Sequence, residues 1–284
     1  MKKRMASISF LLAAALLFWA CGGDSAPQQP AAGESAATSQ AAKPRAQAPA
    51  TAVSGLQKIS DLSDAWSALY KKNEKAINDY DGMPIMGLVT PALTFASSVQ
   101  FDLLNLNNQE GRFEGRMMLA GYQGFVEKAG AKITFGYDDT LKKDGFGPTA
   151  KANDRVVANG FLALGQEYFR EESFTERAGK KIVRNLTEFK RLGDGSMICL
   201  ALSGHSINFR GDEELSDDAI FLHNGPGRYD FVIAKAKTGP EFKSITFAEQ
   251  GDLTKEKAVE LFKAAGYTIE KSGGLRDGKL ALDQ

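Results

Sequence analysis

The chain has 284 residues, enough for one or two domains and too many for a miniprotein held together by disulfides. Its 35 Lys and Arg side chains balance 35 Asp and Glu, which excludes a strong overall positive field that would attract nucleic acid. A hydrophobic share of 43% with 25% charged residues is typical of a globular domain, and two cysteines exclude a disulfide framework.

The first 21 residues carry an export signal. Three basic residues at positions 2–4 precede an apolar run from Ile8 to Ala20, which is too short to span a membrane. The segment Leu17-Phe18-Trp19-Ala20-Cys21 resembles the lipobox of bacterial lipoproteins. That resemblance implies cleavage before Cys21, diacylglycerol on its sulfur and acylation of the new amino terminus. The alternative is an ordinary secretory signal that happens to contain a cysteine.

The lipobox resemblance predicts both the location and the first two segments of the chain. Two or three acyl chains would hold the protein firmly on a membrane, and no other cofactor is expected. Gly22 follows the cysteine, which in lipoproteins sorted as in enteric bacteria favours the outer over the inner membrane of the envelope. Residues 1–20 are the predicted signal peptide. Residues 21–55, rich in Ala, Gln, Pro, Ser and Thr, are a predicted disordered tether.

A first helix is predicted with Ser60 as its N-cap. Apolar side chains recur from Ile59 to Tyr80 at three- and four-residue spacing, and charged residues such as Asp64 and Lys72 lie between them. Such a stripe is more often part of a core than of a binding site.

No charged residue occurs between Gly82 and Phe101, and apolar residues recur there at helical spacing. Pro91 should kink or divide such a helix. One interpretation is a helix buried against a sheet. The other is a lid or amphipathic helix that inserts into the membrane. In the second, the contacts with lipid would come from Ile85, Leu88, Val89, Ala92, Phe95 and Val99.

From Val99 to Phe247 the pattern changes to period two with frequent turn residues, which predicts eight to ten strands in meander order. The strands include a long ribbon from Val156 to Glu176, a hairpin turning at Ala178-Gly179 and a last strand at Lys243–Phe247. Glycines inside strands indicate a sheet that bends: Gly115, Gly121, Gly136, Gly160 and Gly165. The predicted fold class is α+β, a curved antiparallel sheet or half-barrel with amphipathic helices packed on it.

A final helix is predicted at Lys255–Ala265 with Thr254 as its N-cap and Gly266 at its end. The folded part is therefore expected to be a single α+β domain over residues 56–270. Residues 271–284 are predicted to form a flexible tail.

Catalytic chemistry is not indicated, and we expect neither an enzyme nor a metal site. His205 and His223 are isolated, and Cys199 lies in an apolar run typical of an inert buried thiol. The basic residues between Arg177 and Arg191 would either contact anionic lipid headgroups or keep an edge hairpin soluble, with the second slightly favoured.

The predicted function is binding of a lipid or other apolar ligand by a membrane-anchored lipoprotein, with membrane lipid as partner and no nucleic acid. The anchor, early helices and long meander resemble lipid-carrying lipoproteins, namely the LolA-type chaperones and the mycobacterial LppX/LprG group. They are also similar to a treponemal outer-membrane-associated lipoprotein that inserts amphipathic helices. Possible cavity walls are Met117, Leu119, Phe161 and Leu200. The alternative is a structural or interaction lipoprotein of the envelope with a filled core, no ligand and an unknown protein partner.

Overall fold

A computed structural model describes residues 55–79, 109–116, 123–144, 148–208, 210–246 and 253–283. These residues contain two α-helices, α1 (Ile59–Asp79) and α2 (Lys255–Ala264). They also contain eleven strands: β1 (Gly111–Arg116), β2 (Gln123–Ala129), β3 (Lys132–Thr140), β4 (Arg155–Ala163), β5 (Tyr168–Arg177), β6 (Lys180–Arg191), β7 (Met197–Ile207), β8 (Glu213–Gly225), β9 (Arg228–Ala236), β10 (Thr268–Arg276) and β11 (Lys279–Leu282).

The eleven strands form one open sheet in chain order, with antiparallel pairing throughout and β1 and β11 at its edges. The structure therefore confirms the predicted antiparallel meander. Short connections, which can join only antiparallel neighbours, explain the order from β4 to β9, whereas α2 lies in the longer connection between β9 and β10. Ala178 and Gly179, for example, both have positive φ (49° and 78°), as a two-residue hairpin turn requires.

One side of the sheet, here called the α1 face, carries an apolar cluster shared with α1. Leu62, Trp66 and Ile77 of the helix belong to this cluster. The Trp66 ring meets Phe189 of β6 edge-on with 5.4 Å between ring centroids. The amide of Asn73 donates to the carbonyls of Gly225 and Arg228, which ties the helix to the β8–β9 hairpin.

The opposite side, here called the α2 face, carries a second cluster that includes Ala258 and Phe262 of α2. Residues alternate between the two clusters along β7, where Cys199 belongs to the first and Leu200 to the second. Both are fully buried. A strand buried on both sides explains why Met197–Leu202 is continuously apolar.

Gly160 of β4 shows how a strand glycine shapes this sheet. Its cross-strand partner is Phe135, and an added Cβ would lie 2.3 Å from the tip of that ring. The ring therefore lies over the glycine and stacks on Phe169 of β5, with 5.7 Å between centroids.

Three local predictions are wrong. The helix α1 begins at Ile59, so Ser60 is not its N-cap; the Asp61 carboxylate accepts the backbone N–H groups of Gln57 and Lys58 instead. The ribbon from Val156 to Glu176 is two strands, because a 3₁₀ turn at Leu164–Gln166 separates β4 from β5.

The third error is at Lys243–Phe247, where the described residues 243–246 form no strand. The chain before them crosses over β7 instead of joining the sheet. A Cβ on Gly204 of β7 would lie 2.2 Å from the Gly239 carbonyl oxygen, so the two backbones touch. Phe242 and Ile245 then pack into the cluster of the α2 face.

The predicted flexible tail, residues 271–284, also needs correction. Most of it forms the end of β10 and all of β11, joined by a turn at Asp277-Gly278. Leu280 packs into the cluster under α1, which explains why this segment is ordered as part of the domain.

Candidate functional site

Most of the predicted lipid contacts lie outside the described residues. These are Cys21, Ile85, Leu88, Val89, Ala92, Phe95, Val99, Met117 and Leu119. Phe161 and Leu200 are described, and both contact the cluster of the α2 face. Leu200 is fully buried in it, and Phe161 is partly buried with its ring edge-on to Tyr168.

The strand register places a row of polar side chains across the α1 face. Each is the direct cross-strand partner of the next. This polar row consists of Ser173 (β5), Asn185 (β6), Ser203 (β7), Asp218 (β8) and Lys235 (β9). On β5, β6 and β7 the polar residue is four positions from the apolar residue that packs near α1, namely Phe169, Phe189 or Cys199. All five side chains are partly exposed.

Hydrogen bonds link the polar-row residues of β7, β6 and β5, and each residue donates to the next in that order. The Ser203 hydroxyl donates to Oδ1 of Asn185 over 2.7 Å, and the Asn185 amide reaches the Ser173 hydroxyl at 3.5 Å. His205 Nε2 lies 3.0 Å from the same Ser203 oxygen. Since Ser203 has one hydrogen and gives it to Asn185, the imidazole must be the donor in that contact.

Glu171 of β5 lies between the polar row and the apolar residues Phe169, Phe189 and Cys199. Its cross-strand partners are Gly160 and Thr187. Its side chain is buried, and its Oε2 has no hydrogen-bond partner among the described residues. Burial raises the pKa of Glu171 to about 8. The carboxyl group is therefore largely protonated at neutral pH and can donate as well as accept.

Burial favours the uncharged form of two ionisable groups in or near the polar row. Burial lowers the pKa of His205, which favours the uncharged imidazole. Burial raises the pKa of Asp218, whose carboxylate lies 3.8 Å from the Lys235 ammonium. The same ammonium is 3.3 Å from Glu270.

The arrangement does not form a nucleophilic triad. The hydroxyl hydrogen of Ser203 points to Asn185, so His205 does not act as its base in this geometry. A second Ser–His pair, Ser196 and His223, is equally unsuited, because the Ser196 hydroxyl donates to Asp194 over 2.5 Å. No group of three or more potential metal ligands occurs among the described residues.

Sequence reasoning missed the polar row. Its members lie 12 to 18 residues apart and match no motif, so only the register brings them together. It did identify Cys199 as a buried thiol, and burial raises the pKa of that thiol well above its usual value. His223 is buried, as expected of a structural histidine.

The three arginines of the basic hairpin between Arg177 and Arg191 are ion-paired. Arg177 forms a two-pronged pair with Asp154, Arg184 pairs with Glu172, and Arg191 pairs with Glu167. Lys180 and Lys181 at the tip of the hairpin remain exposed.

The described surface offers little apolar area. One depression of about 580 Å³ is open to solvent and has a mixed lining that includes Leu56, Lys58, Lys128 and Arg191. Large exposed apolar side chains among the described residues are Leu215 and Leu282. No described helix is both long enough and apolar enough to cross a bilayer.

Comparison with known proteins gives no relative from which a role could be transferred: no family model, no curated protein and no solved structure matches the chain.

Proposed function

We propose that this protein is a lipid-anchored lipoprotein of the bacterial envelope that acts through the surface of a filled sheet domain. The anchor is Cys21, with the diacylglycerol that the lipobox resemblance implies. The tether of residues 21–55 would reach on the order of 30 Å as a flexible chain, which keeps the domain near its membrane.

The proposal of a filled core is supported by the packing of apolar side chains on both faces of the sheet. The cluster of the α1 face contains Trp66, Phe135, Phe169 and Phe189, and that of the α2 face contains Leu200 and Phe221. All but Trp66 are at most 1% exposed, and Trp66 is 5% exposed. Carriers of acyl chains need an apolar cavity. The buried apolar side chains on both faces of the described sheet support a filled core.

Binding of a lipid or other apolar ligand is the second candidate. The observation that favours it is the uncharged stretch from Gly82 to Phe101, which lies outside the described residues. In this alternative the sheet and its amphipathic helices form a half-barrel, and that stretch contacts lipid.

The anchor is tested by Cys21→Ala in the full chain, produced with its own signal in a bacterial host. We expect the wild type to partition into detergent and membranes, and the variant to appear in the soluble fraction. A matched control is Cys199→Ala, which removes the buried cysteine and should leave the protein on membranes. Membrane partitioning that is the same with and without Cys21 would refute the anchor.

The two functions are separated by organic extraction and native mass spectrometry of the purified domain. A filled core predicts no co-purifying lipid. Bound lipid in stoichiometric amount, together with loss of liposome binding in Leu88→Asp or Phe95→Asp, would establish the second candidate instead. Leu215→Asp is the control, because Leu215 is 54% exposed on the described surface and its replacement should change nothing.

A further inference from the structure

Strand β1 forms one edge of the sheet, and among the described residues it is paired on one side only, with β2. This edge is accessible, because the side chains of Arg112 and Glu114 are 48% and 59% exposed and Gly111 is exposed beside them. The unpaired side of an edge strand presents backbone N–H and C=O groups that a strand of another chain can bind. Strand β1 therefore offers an interaction surface that no other described strand occupies.

The strand register shows which backbone groups of β1 point to the open side. In an antiparallel sheet, alternate residues of a strand hydrogen-bond to opposite neighbours. The N–H of Leu164 donates to the carbonyl of Ala131, immediately before β3, so odd-numbered residues of β3 bond to β4 and even-numbered residues bond to β2. Following the register through β2 leaves Phe113 of β1 bonded to β2. The backbone groups of Arg112 and Glu114 are then directed away from the sheet.

The sequence of this edge is complementary to itself. It reads Glu-Gly-Arg-Phe-Glu-Gly-Arg from Glu110 to Arg116. If two antiparallel copies pair about Phe113, Arg112 of each lies opposite Glu114 of the other, and the two ends of the segment also place opposite charges together. Pairing about Arg112 or about Glu114 would keep the hydrogen bonds but would put like charges directly opposite each other, which is destabilising. The charges therefore select one register, and it is a register that the outward backbone groups allow.

The side chains of β1 fit this register on both faces of the strand. Arg112 and Glu114 share one face and form an ion pair of 3.0 Å within a single copy. A second copy brings two such pairs together as a cluster of four alternating charges. Phe113 points to the α1 face, where it is partly buried against the apolar cluster. It would meet its own counterpart at a position without cross-strand hydrogen bonds, where opposite side chains lie closest.

We propose that β1 is a dimerisation edge, at which two copies of this protein pair antiparallel about Phe113 and join their sheets. A second copy is the occupant because the charges of the strand are complementary to those of the same strand reversed. The interface is independent of the choice between the two functions proposed above. Anchoring both copies to one membrane would raise their effective concentration, although the pairing does not require an anchor.

Cysteine cross-linking of the full chain on bacterial membranes tests the register. The background is Cys199→Ala, and this parent without an added cysteine shows any cross-linking that comes from elsewhere. Phe113→Cys should form a disulfide-linked dimer with copper phenanthroline, because its Cα would lie about 4.5 Å from its counterpart. Arg112→Cys and Glu114→Cys are the matched controls. Each would be diagonal to its own counterpart at about 7–8 Å, which is too far for a disulfide.

Charge exchange tests the interface without a cross-link, by analytical ultracentrifugation of the full chain in detergent. Arg112→Glu and Glu114→Arg should each weaken association at least about tenfold, because each places like charges opposite one another twice. An equimolar mixture of the two variants should associate again, because an acidic edge then faces a basic one. This recovery also shows that both variants are folded. Lys279→Glu makes the same charge change on β11, the other edge, and should leave the affinity unchanged.

Four outcomes would overturn the proposal. They are a wild type that stays monomeric in detergent and on membranes, a mixture that associates no better than either variant alone, equal weakening by Lys279→Glu, and cross-linking through Arg112→Cys or Glu114→Cys in place of Phe113→Cys. The third would move the interface to β11, and the fourth would show a different register of β1.

Discussion

Two glutamates on neighbouring strands are buried on opposite faces of the sheet, and their surroundings differ sharply. Glu188 of β6 lies on the α2 face, fully buried, and accepts from the Tyr168 hydroxyl over 2.5 Å and from Arg170 over 3.0 Å. Glu171 of β5 lies on the α1 face with its Oε2 unsatisfied among the described residues. Hydrogen-bond partners offset the cost of burying a carboxyl group, whereas burial without partners leaves that cost in place.

The largest effect should come from Glu188→Ala, which leaves the Tyr168 hydroxyl without its acceptor and removes the nearer of the two carboxylates that pair with Arg170. We expect the free energy of unfolding to fall by about 3 kcal/mol, since removing one member of a buried pair strands the other. Urea unfolding at pH 7 measures this loss. Glu171→Ala is the matched truncation on the other face and should cost at least 1 kcal/mol less. Equal losses would abolish the distinction between the two faces.

The second effect is the pH dependence that Glu171 imposes on stability. Its pKa is about 8 in the folded chain, above the ordinary value of 4.5. Between these values the folded state holds a proton that the unfolded chain has lost, so the free energy of unfolding falls as pH rises. The full contribution is present below about pH 4.5, and the decline ends near pH 8. Between pH 6 and pH 8 we expect a loss of about 2 kcal/mol, at up to 1.4 kcal/mol per pH unit.

Glu171→Gln isolates this dependence, because glutamine cannot ionise and the other titrating groups remain. Burial lowers the pKa of the nearby His205, which is present in both proteins. The difference in free energy of unfolding between wild type and variant, measured in urea from pH 5 to pH 9, should change steadily up to pH 8. Parallel profiles would mean that Glu171 is ionised in the folded state and has a partner.

Sequence patterns gave α1, α2 and the meander because these depend on local periodicity. Leu62, Trp66 and Ile77 recur at helical spacing, and Thr254 caps α2 as its residue type suggests. The polar row could not be predicted from the sequence, because Ser173, Asn185 and Ser203 come together only through the register of β5, β6 and β7. The role of the stretch from Gly82 to Phe101 stays a prediction, since it lies outside the described residues.

The β10–β11 hairpin is a different kind of error, because its signal was present and overlooked. Asp277-Gly278 flanked by Leu275 and Leu280 is a strong sequence indication of a two-residue turn. Both turn residues have positive φ, 50° and 73°. This hairpin forms one edge of the α1 face, and Leu280 contributes to its core.

The smallest predicted effect concerns that edge. Gly278→Ala should lower the free energy of unfolding by about 1 kcal/mol, since an L residue is disfavoured at a φ of 73° even though nothing lies within 4 Å of the added Cβ. Gly165→Ala is the matched control, with equally open space and no positive φ, and it should be neutral or slightly stabilising. The two variants separate backbone strain from packing, because neither methyl group meets a neighbour. If both variants unfold at the wild-type urea concentration, the turn does not require positive φ, and the edge of the α1 face must instead be fixed by the packing of Leu280 beneath α1.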